Sequence, residues 1–408
     1  MKVFLAIICV GLVFSLFKPT DSANIFKKIA SIVKFKKKVQ VVVIDTGNME
    51  TYLSYYLFTS KKSGHKIALK KDFHRMVTPS LAKYSANPPL CTRSLQGLLE
   101  QLKKVVPPKK WSKTHVMILG TGGFRLIGPE ISAKLLRASK AFFKRNKFKI
   151  ADSDVMELSD NDEALLDWFS IQVLLGRLFK NTTTVPVLNL GPAAASVGFE
   201  PKDRRQVMGS ELKTLKLYDC QHKIYTKSYL GLGLEEARYL ILRKTDQLRS
   251  TVLLTRCIAP GYQFRWTYNG QEYTVKGMSS TSPTNFAGCQ QEVRDLVKRY
   301  PPSASLTGTQ PVAFTHYYYT AYSSGLLNST TGGRVTVSRL RFAAEFRCQH
   351  FEGHLPFLCL DSVYIHTLFI LLFGLKEYDV VEFMGSYRGF KADRTLGAAF
   401  LGAMKWGK

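Results

Sequence analysis

Two short turns carry a polar residue two positions before a glycine, where an apolar run gives way to a second strand-like run. The first is Asp45-Thr-Gly47, at the end of "VQVVVIDTG", and the second is Asn189-Leu-Gly191, at the end of "TVPVLNLG". Such a glycine turn can aim backbone N–H groups at phosphate oxygens, and a carboxylate beside it can hold a hydrated divalent metal. Two such units predict two related halves facing a shared cleft. The alternative is that each turn only connects two strands and that their similarity is fortuitous.

A third loop, "LGTGGFRLIGP", offers further groups that suit phosphate. Thr121 supplies a hydroxyl, Gly122 and Gly123 supply accessible backbone, and Arg125 supplies a forked cation. The loop follows the strand-like "HVMI" and precedes a helical pattern that starts near Pro129. The alternative is a plain strand-to-helix turn with Arg125 in a surface ion pair.

The segment "SDNDEALLDWF" predicts the start of a helix and contains a candidate general base. Ser159 or Asp160 can cap the helix, and Asp162 and Glu163 fall in its first turn. Acidic residues there are often only favourable partners of the helix dipole. The functional alternative is that one of them points into the cleft and accepts a proton from water.

Strand-like runs and helical patterns alternate along the chain, which predicts an α/β fold. The helical patterns "PEISAKLLRASKAFFKR" and "EALLDWFSIQVLLGRLF" place apolar residues at spacings of three and four. A chain of 408 residues exceeds what one hydrophobic core usually supports, so we expect two domains.

The first 23 residues, "MKVFLAIICVGLVFSLFKPTDSA", predict a cleaved secretory signal peptide, with an uncleaved anchor as the alternative. No later run is long enough to span a bilayer, and "VYIHTLFILLFGL" has the length of a buried helix. The ending "AMKWGK" lacks a retention signal, which favours secretion over residence in the Golgi or endoplasmic reticulum lumen. Sequons at Asn181 and Asn328 suit a glycoprotein. The six cysteines outside the signal allow up to three disulfides, and they are Cys91, Cys220, Cys257, Cys289, Cys348 and Cys359.

A formal net charge of +28 favours anionic partners through long-range attraction. The basic segment "IFKKIASIVKFKKKVQ" predicts binding to sulfated glycans or acidic lipid headgroups, with a solvated basic surface as the alternative. No nucleic-acid-binding motif accompanies the charge, so we do not expect a specific nucleic acid partner.

The order of these motifs resembles that of the ectonucleoside triphosphate diphosphohydrolases, the apyrase family, and within it the soluble nucleoside diphosphatase branch. "DTGNMET" stands where the family has Asp-Ala-Gly-Ser-Thr-Gly-Thr-Arg, and "GTGGFRL" is similar to Ala-Thr-Ala-Gly-Leu-Arg-Leu. "DEALLDWFSIQVLLGRL" and "LNLGPAAAS" resemble two further family regions. "YTKSYLGLGLEEAR", "PFLCLDSVYIHTLF" and "TLGAAF" extend the resemblance along nearly the whole mature chain.

The resemblance implies an actin-like fold of two ribonuclease-H-like domains with nucleotide in the cleft between them. It implies a first domain over residues 24–158, a second over 159–384 and a C-terminal segment, 385–408, that returns to the first. It also implies disulfides Cys257–Cys289 and Cys348–Cys359, which leaves Cys91 and Cys220 either paired or free.

The resemblance also assigns roles to individual residues. Glu163 would be the general base, and Asp45 a metal-shell carboxylate, with Asn189 a weakened counterpart that acts through water. Tyr319 would stack on the nucleotide base, and Arg394, near a family tryptophan, would stack through its guanidinium. The alternative for the neighbouring Tyr317 and Tyr318, which we prefer, is the core of a strand. The phosphate contacts would come from Gly47, Asn48, Thr121, Gly123, Arg125, Gly191 and Ser196.

The chain departs from the family where the chemistry should lie. In the second hairpin, Asn189 replaces an aspartate and Pro192, which has no backbone N–H, replaces a glycine. Glu50 replaces a glycine of the first hairpin, where it would repel phosphate or, alternatively, restore the metal-binding charge lost at Asn189. The other changes in or beside these motifs are Asn48, Met49, Tyr52, Ala164, Ala194 and Ser196.

Two functions are compatible with this pattern. The first is hydrolysis of the terminal phosphate of nucleoside di- or triphosphates, with Ca²⁺ or Mg²⁺ as cofactor and a rate reduced by the altered loops. The alternative is an inactive relative that binds nucleotides or other polyanions. The sequence leaves open whether the protein is an enzyme.

Overall fold

The alternating strands and helices form two mixed sheets in this computed structural model. The structure describes residues 38–47, 50–60, 67–178, 182–202, 207, 212–217, 220–243, 250–278 and 286–406. The predicted signal peptide and Asn181 lie outside these ranges, whereas Asn328 lies in an exposed turn. Within these ranges, no helix is both long and apolar enough to cross a membrane.

The first sheet has the strand order β3-β2-β1-β4-β5. Its strands are β1 (Lys38–Thr46), β2 (Thr51–Ser60), β3 (Ile67–Val77), β4 (Thr114–Gly120) and β5 (Val155–Glu157). The first three are antiparallel neighbours, while β4 runs parallel to β1 and β5 parallel to β4. Two amphipathic helices, α1 (Cys91–Lys103) and α2 (Pro129–Arg145), cover one face, and their leucines pack on β1 and β4.

The second sheet has the order β14-β15-β13-β6-β7-β9-β8. Its strands are β6 (Val187–Leu190), β7 (Ala194–Phe199), β8 (Leu212–Leu217), β9 (Cys220–Leu230), β13 (Val312–Thr315), β14 (Gly332–Thr336) and β15 (Val380–Met384). Two smaller sheets contain β10 (Val252–Thr255), β11 (Gln263–Tyr268) and β12 (Gln271–Gly277), and β16 (Ser386–Tyr387) with β17 (Phe390–Lys391). The remaining helices are α3 (Asp160–Leu175), α4 (Leu234–Leu242), α5 (Phe286–Val297), α6 (His316–Ser323), α7 (Val337–Gln349), α8 (Leu358–Thr367) and α9 (Arg394–Trp406).

The two sheets repeat one topology. Strands β9, β7, β6, β13 and β15 occupy the places that β3, β2, β1, β4 and β5 occupy in the first sheet. The hairpin strands are antiparallel and the following strands parallel in both cases. This repetition confirms the prediction of an α/β fold with two related halves.

The C-terminal helix α9 joins the two halves. Its apolar residues, among them Leu396 and Phe400, share a core with Phe58 of β2 and Phe169 of α3. Because α9 packs on β1, β2 and α3, its N-terminus is fixed at the level of the strand ends. The chain therefore returns to the first sheet, while the domain boundaries given above stay a prediction.

The cysteines agree with the pairing that the resemblance implied. Cys257 is bonded to Cys289 and Cys348 to Cys359. Cys91 is a buried free thiol on α1, and Cys220, at the start of β9, is also free, so these two do not pair. The apolar run near the C-terminus forms α8 and the turn that follows it, both largely buried, as its length predicted.

Candidate functional site

The two predicted turns close hairpins that match in register. Asp45 of β1 lies opposite Tyr52 of β2, and Asn189 of β6 lies opposite Ser196 of β7. Each polar residue is therefore the last but one of its strand, at the equivalent point of the two sheets. The similarity between the two turns in the sequence therefore reflects a similarity between the two hairpins in the structure.

The glycines of these hairpins close the turns with their own N–H groups. Gly47 donates to the carbonyl of Glu50 (3.1 Å), and Gly191 donates to the carbonyl of Ala194 (2.9 Å). The two N–H groups that were expected to bind phosphate are thus engaged within the turns. Pro192 has no N–H to offer, so the second hairpin presents fewer donors than a glycine-rich loop would.

The loop after β4 connects the first hairpin to α3. Thr121 Oγ1 donates to Asp45 Oδ1 (2.8 Å), and the Thr121 N–H donates to the Thr46 carbonyl (3.0 Å). The N–H of Gly122 donates to Glu163 Oε1 (2.7 Å). One short loop therefore brings the predicted base and the predicted metal carboxylate into a single site.

Helix α3 carries two site carboxylates on one face. It begins after Ser159, whose Oγ accepts the Asp162 N–H, as the sequence predicted for a capping residue. Asp167 lies four residues after Glu163, so both side chains project from the same side of the helix. The side chains are 3% and 2% exposed, respectively.

Arg394 links these two carboxylates. Its Nη1 donates to Glu163 Oε2 (2.7 Å) and its Nε donates to Asp167 Oδ1 (2.9 Å). Arg394 is the first residue of α9, so the packing of that helix sets the position of the guanidinium. The resemblance assigned Arg394 to base stacking, but the side chain instead forms ion pairs inside the site.

The second hairpin also bonds to Asp167. Asn189 Nδ2 donates to Asp167 Oδ2 (3.0 Å), and Ser196 Oγ donates to the same oxygen (2.6 Å). Thr315, at the end of β13, donates through Oγ1 to Asn189 Oδ1. Thr315 adopts a positive φ of 59°, which is unfavourable for a β-branched residue, and its hydroxyl also lies within hydrogen-bond distance of the Leu190 and Phe314 carbonyl oxygens. The Asn189 amide is oriented with its nitrogen towards Asp167.

Burial and ion pairing shift the protonation of the site. Burial raises the pKa of Asp45 to about 6, although Arg394 and the Thr121 hydroxyl act in the opposite direction. Burial likewise raises the pKa of Asp167 against the effect of Arg394. For Arg394, burial opposes the charged form, but Asp167 and Glu163 outweigh it and raise the pKa well above its usual range. The guanidinium is therefore a permanent cation.

Other predicted site residues lie apart from this cluster. Glu50 accepts a hydrogen bond from the Tyr52 hydroxyl, across the first turn. Tyr319 is 51% exposed on α6, with its ring 5.2 Å from that of Tyr318. Asn48 and Met49 lie outside the described ranges, as does the side chain of Arg125.

The tyrosine run corrects one expectation. Tyr317 and Tyr318 are buried, as preferred, but they belong to helix α6 rather than to a strand, because β13 ends at Thr315. Asp167 and Thr315 are site residues that the sequence analysis missed. The spacing of Asp167 from Glu163 was a usable signal, whereas nothing local in the sequence marks Thr315.

The residues assigned to a divalent metal fit one poorly. Asn189 directs Nδ2, a donor, towards Asp167, and its Oδ1 already accepts from Thr315, so its side chain brings no charge and only a partly engaged oxygen to a metal. Among the described residues, no group of three or more histidine, cysteine or acidic side chains is arranged to hold a metal ion. Asp45 remains the single assigned carboxylate for that role, since Glu50 is engaged with Tyr52.

Comparison with known proteins shows which family this chain is similar to. Residues 32–308 match the model of the GDA1/CD39 (nucleoside phosphatase) family. The chain is 28% identical over 369 residues to ectonucleoside triphosphate diphosphohydrolase 5 of Gallus gallus, with 88% of this chain and 86% of that protein covered. It is 29% identical over 371 residues to nucleoside diphosphate phosphatase ENTPD5 of Homo sapiens, with the same coverage. Ectonucleoside triphosphate diphosphohydrolase 6 of Mus musculus is 26% identical over 370 residues, covering 88% of this chain and 80% of that protein.

A solved structure supports the fold. The nucleoside triphosphate hydrolases of Neospora caninum superpose with a TM-score of 0.65 at 12% identity, covering 92% of this chain and 95% of that one. At this level of identity the likeness concerns architecture alone. It agrees with the actin-like arrangement of two lobes seen in the repeated sheets.

Proposed function

Because the chain belongs to the GDA1/CD39 (nucleoside phosphatase) family, we propose that it binds nucleoside di- and triphosphates between its two hairpins and slowly hydrolyses the terminal phosphate. The observation that carries this proposal is the convergence of Glu163 at the start of α3, Thr121 after β4 and Asp45 near the end of β1. Three segments far apart in the chain supply these groups. Such a convergence of carboxylates and small polar donors suits the activation of water beside a phosphate.

Each residue has a defined part in this proposal. Glu163 accepts the proton of the attacking water, while the Gly122 N–H and Arg394 hold its carboxylate in place. Thr121 orients the Asp45 carboxylate by donating a hydrogen bond to it, and its hydroxyl oxygen lies near the proposed position of the terminal phosphate. The family's chemistry calls for a divalent cation, which these residues fit poorly, so the proposed rate is low.

A second candidate function, favoured by the hydrogen bonds that Glu163 accepts, is nucleotide binding without turnover. Both oxygens of Glu163 already accept hydrogen bonds, one from Gly122 and one from Arg394. A carboxylate committed in this way is poorly placed to take a proton from water. The net charge of +28 extends this candidate to other polyanions, such as sulfated glycans.

Phosphate release from ADP, GDP, UDP and ATP, each with Mg²⁺ and with Ca²⁺, separates the two candidates. Slow hydrolysis predicts release by the wild type that Glu163→Gln abolishes. The control Glu272→Gln, on an exposed residue of β12, should leave release unchanged. Equal rates of phosphate release from wild type and Glu163→Gln would reject hydrolysis. Binding of the same nucleotides, measured by calorimetry, would then support the second candidate.

We also propose that the protein works in the lumen of the secretory pathway or is secreted. Two disulfides suit an oxidising compartment, and Asn328 stands exposed within a sequon. Protein from secreting cells should lose apparent mass on treatment with an endoglycosidase specific for N-linked glycans. An Asn328→Gln variant that shows the same glycan pattern as the wild type would argue against modification at this site.

A further inference from the structure

The carboxylate cluster beside the two hairpins contains its own cation. Asp45, Glu163 and Asp167 supply three carboxylates, and Arg394 is the guanidinium among them. Arg394 uses Nε, Nη1 and Nη2 towards the two carboxylates of α3, the last contact being a long one of 3.5 Å to Asp167 Oδ2. The Gly122 N–H donates to the other oxygen of Glu163, and Asn189 and Ser196 donate to Asp167 Oδ2. All four carboxylate oxygens of Glu163 and Asp167 therefore already have donors.

We propose that Arg394, held in place by Asp167, substitutes for a divalent metal, so that the cleft binds nucleotide phosphates without one. This inference rests on the proposed nucleotide binding. It follows from the disagreement between the family's metal chemistry and the residues present. Asn189 lacks the negative charge that would hold a metal, and a guanidinium contacts two of the three carboxylates, those of Glu163 and Asp167.

A guanidinium suits this role chemically. It has five N–H donors in a planar fork, and among the described residues three of them contact Glu163 and Asp167, which leaves two for phosphate oxygens. Bidentate contact between arginine and phosphate is both strong and directional. Unlike a bound ion, this cation is not removed by a chelator.

The surrounding contacts oppose a metal at the same place. Thr315 fixes the Asn189 amide with its nitrogen, a donor, towards Asp167. A divalent ion would have to share Glu163 or Asp167 with Arg394 and lie close to its positive charge, which leaves Asp45 as the carboxylate available to it or its water shell. Asp167 acts here as a positioning residue, because it holds the guanidinium through Nε rather than contacting the ligand itself.

Calorimetry with nucleotide analogues that resist cleavage of the terminal phosphate tests the inference directly. The probes are α,β-methylene-ADP and the corresponding UDP analogue, each titrated into the full chain in EDTA, in Mg²⁺ and in Ca²⁺. The inference predicts dissociation constants that agree within about twofold across the three conditions. Loss of a charge-assisted hydrogen bond in Arg394→Gln should weaken binding in EDTA by about tenfold or more. The matched control Arg265→Gln, on an exposed side chain of β11, should bind as the wild type does.

A second variant tests the exchange of cations. Asn189→Asp combined with Arg394→Gln restores a carboxylate and removes the guanidinium, so binding should become dependent on Mg²⁺ or Ca²⁺. Wild-type binding that disappears in EDTA and returns with either metal would overturn the inference while leaving the proposed nucleotide binding intact. An absence of binding under all three conditions would overturn both. The wild-type comparison decides the question even if a variant does not fold.

Discussion

Replacing Arg394 by glutamine should destabilise the protein, because two buried carboxylates lose their counter-charge. The side chains of Glu163 and Asp167 are almost fully buried, and that of Arg394 is 15% exposed. Removing one partner of a buried ion pair costs about 3–5 kcal/mol. Glutamine retains an N–H donor that reaches one carboxylate, so we expect a loss of about 3 kcal/mol in the free energy of unfolding.

The effect should depend on a second position and on pH. Asp167→Asn in the same chain removes one uncompensated charge, so the double variant should lose less than the two single losses combined, by about 1–3 kcal/mol. Burial already raises the pKa of Asp167, and without Arg394 that pKa should rise further. A carboxyl whose pKa is higher in the folded state weakens the fold as the pH rises through that pKa. The cost of Arg394→Gln should therefore shrink as the pH falls from about 8 towards 4.

Urea unfolding followed by tryptophan fluorescence measures these differences, since Trp168 is buried on α3 beside the cluster. Wild type, both single variants and the double variant complete the thermodynamic cycle. Arg388→Gln, on an arginine beside β17 with no acidic partner in the described part of the chain, is the control. A loss below about 1 kcal/mol at every pH would mean that solvent screens the pair, and the account of Arg394 as an enclosed cation would be wrong.

Three further predictions concern stability. Because burial raises the pKa of Asp45 from 3.8 to about 6, its ionisation costs the fold about 3 kcal/mol above that pH. Asp45→Asn should therefore raise the urea midpoint near pH 8 and leave it unchanged near pH 4, and equal gains at both would contradict the assignment. Removing the Cys257–Cys289 bond, which spans 32 residues, should cost about 4 kcal/mol, measured by unfolding a double serine variant, and a loss below about 1 kcal/mol would be inconsistent with the loop-entropy argument. Ser159→Ala removes the cap that accepts the Asp162 N–H and should cost about 1 kcal/mol in a thermal scan, whereas an unchanged midpoint would show that the cap contributes little.

The sequence predicts the parts of this molecule that depend on local pattern. The hairpin that contains Asp45, its counterpart at Asn189 and the helix capped by Ser159 all follow from short runs of residue types, and the structure confirms them. Periodicity and turn residues act over a few positions, so they are readable without the fold. The two disulfides follow from the family resemblance.

What the sequence misses are interactions between distant segments. Arg394 meets Asp167 across 227 positions, and no local pattern shows that a side chain at the start of α9 fills the space beside α3. The tyrosine run was misjudged because aromatic and β-branched residues favour strands, whereas the backbone leaves the strand at Thr315 and turns into a helix. A contact between distant segments decides the first case, and the change from strand to helix after Thr315 decides the second.

The pairing of Asp167 with Arg394 also constrains how this chain can change over generations. Asp167 without Arg394 would leave a buried charge without its cation, whereas Arg394 without Asp167 would still pair with Glu163, so loss of the arginine is the more costly single change. We therefore expect the aspartate to change before the arginine, since that order costs the fold less than the reverse order.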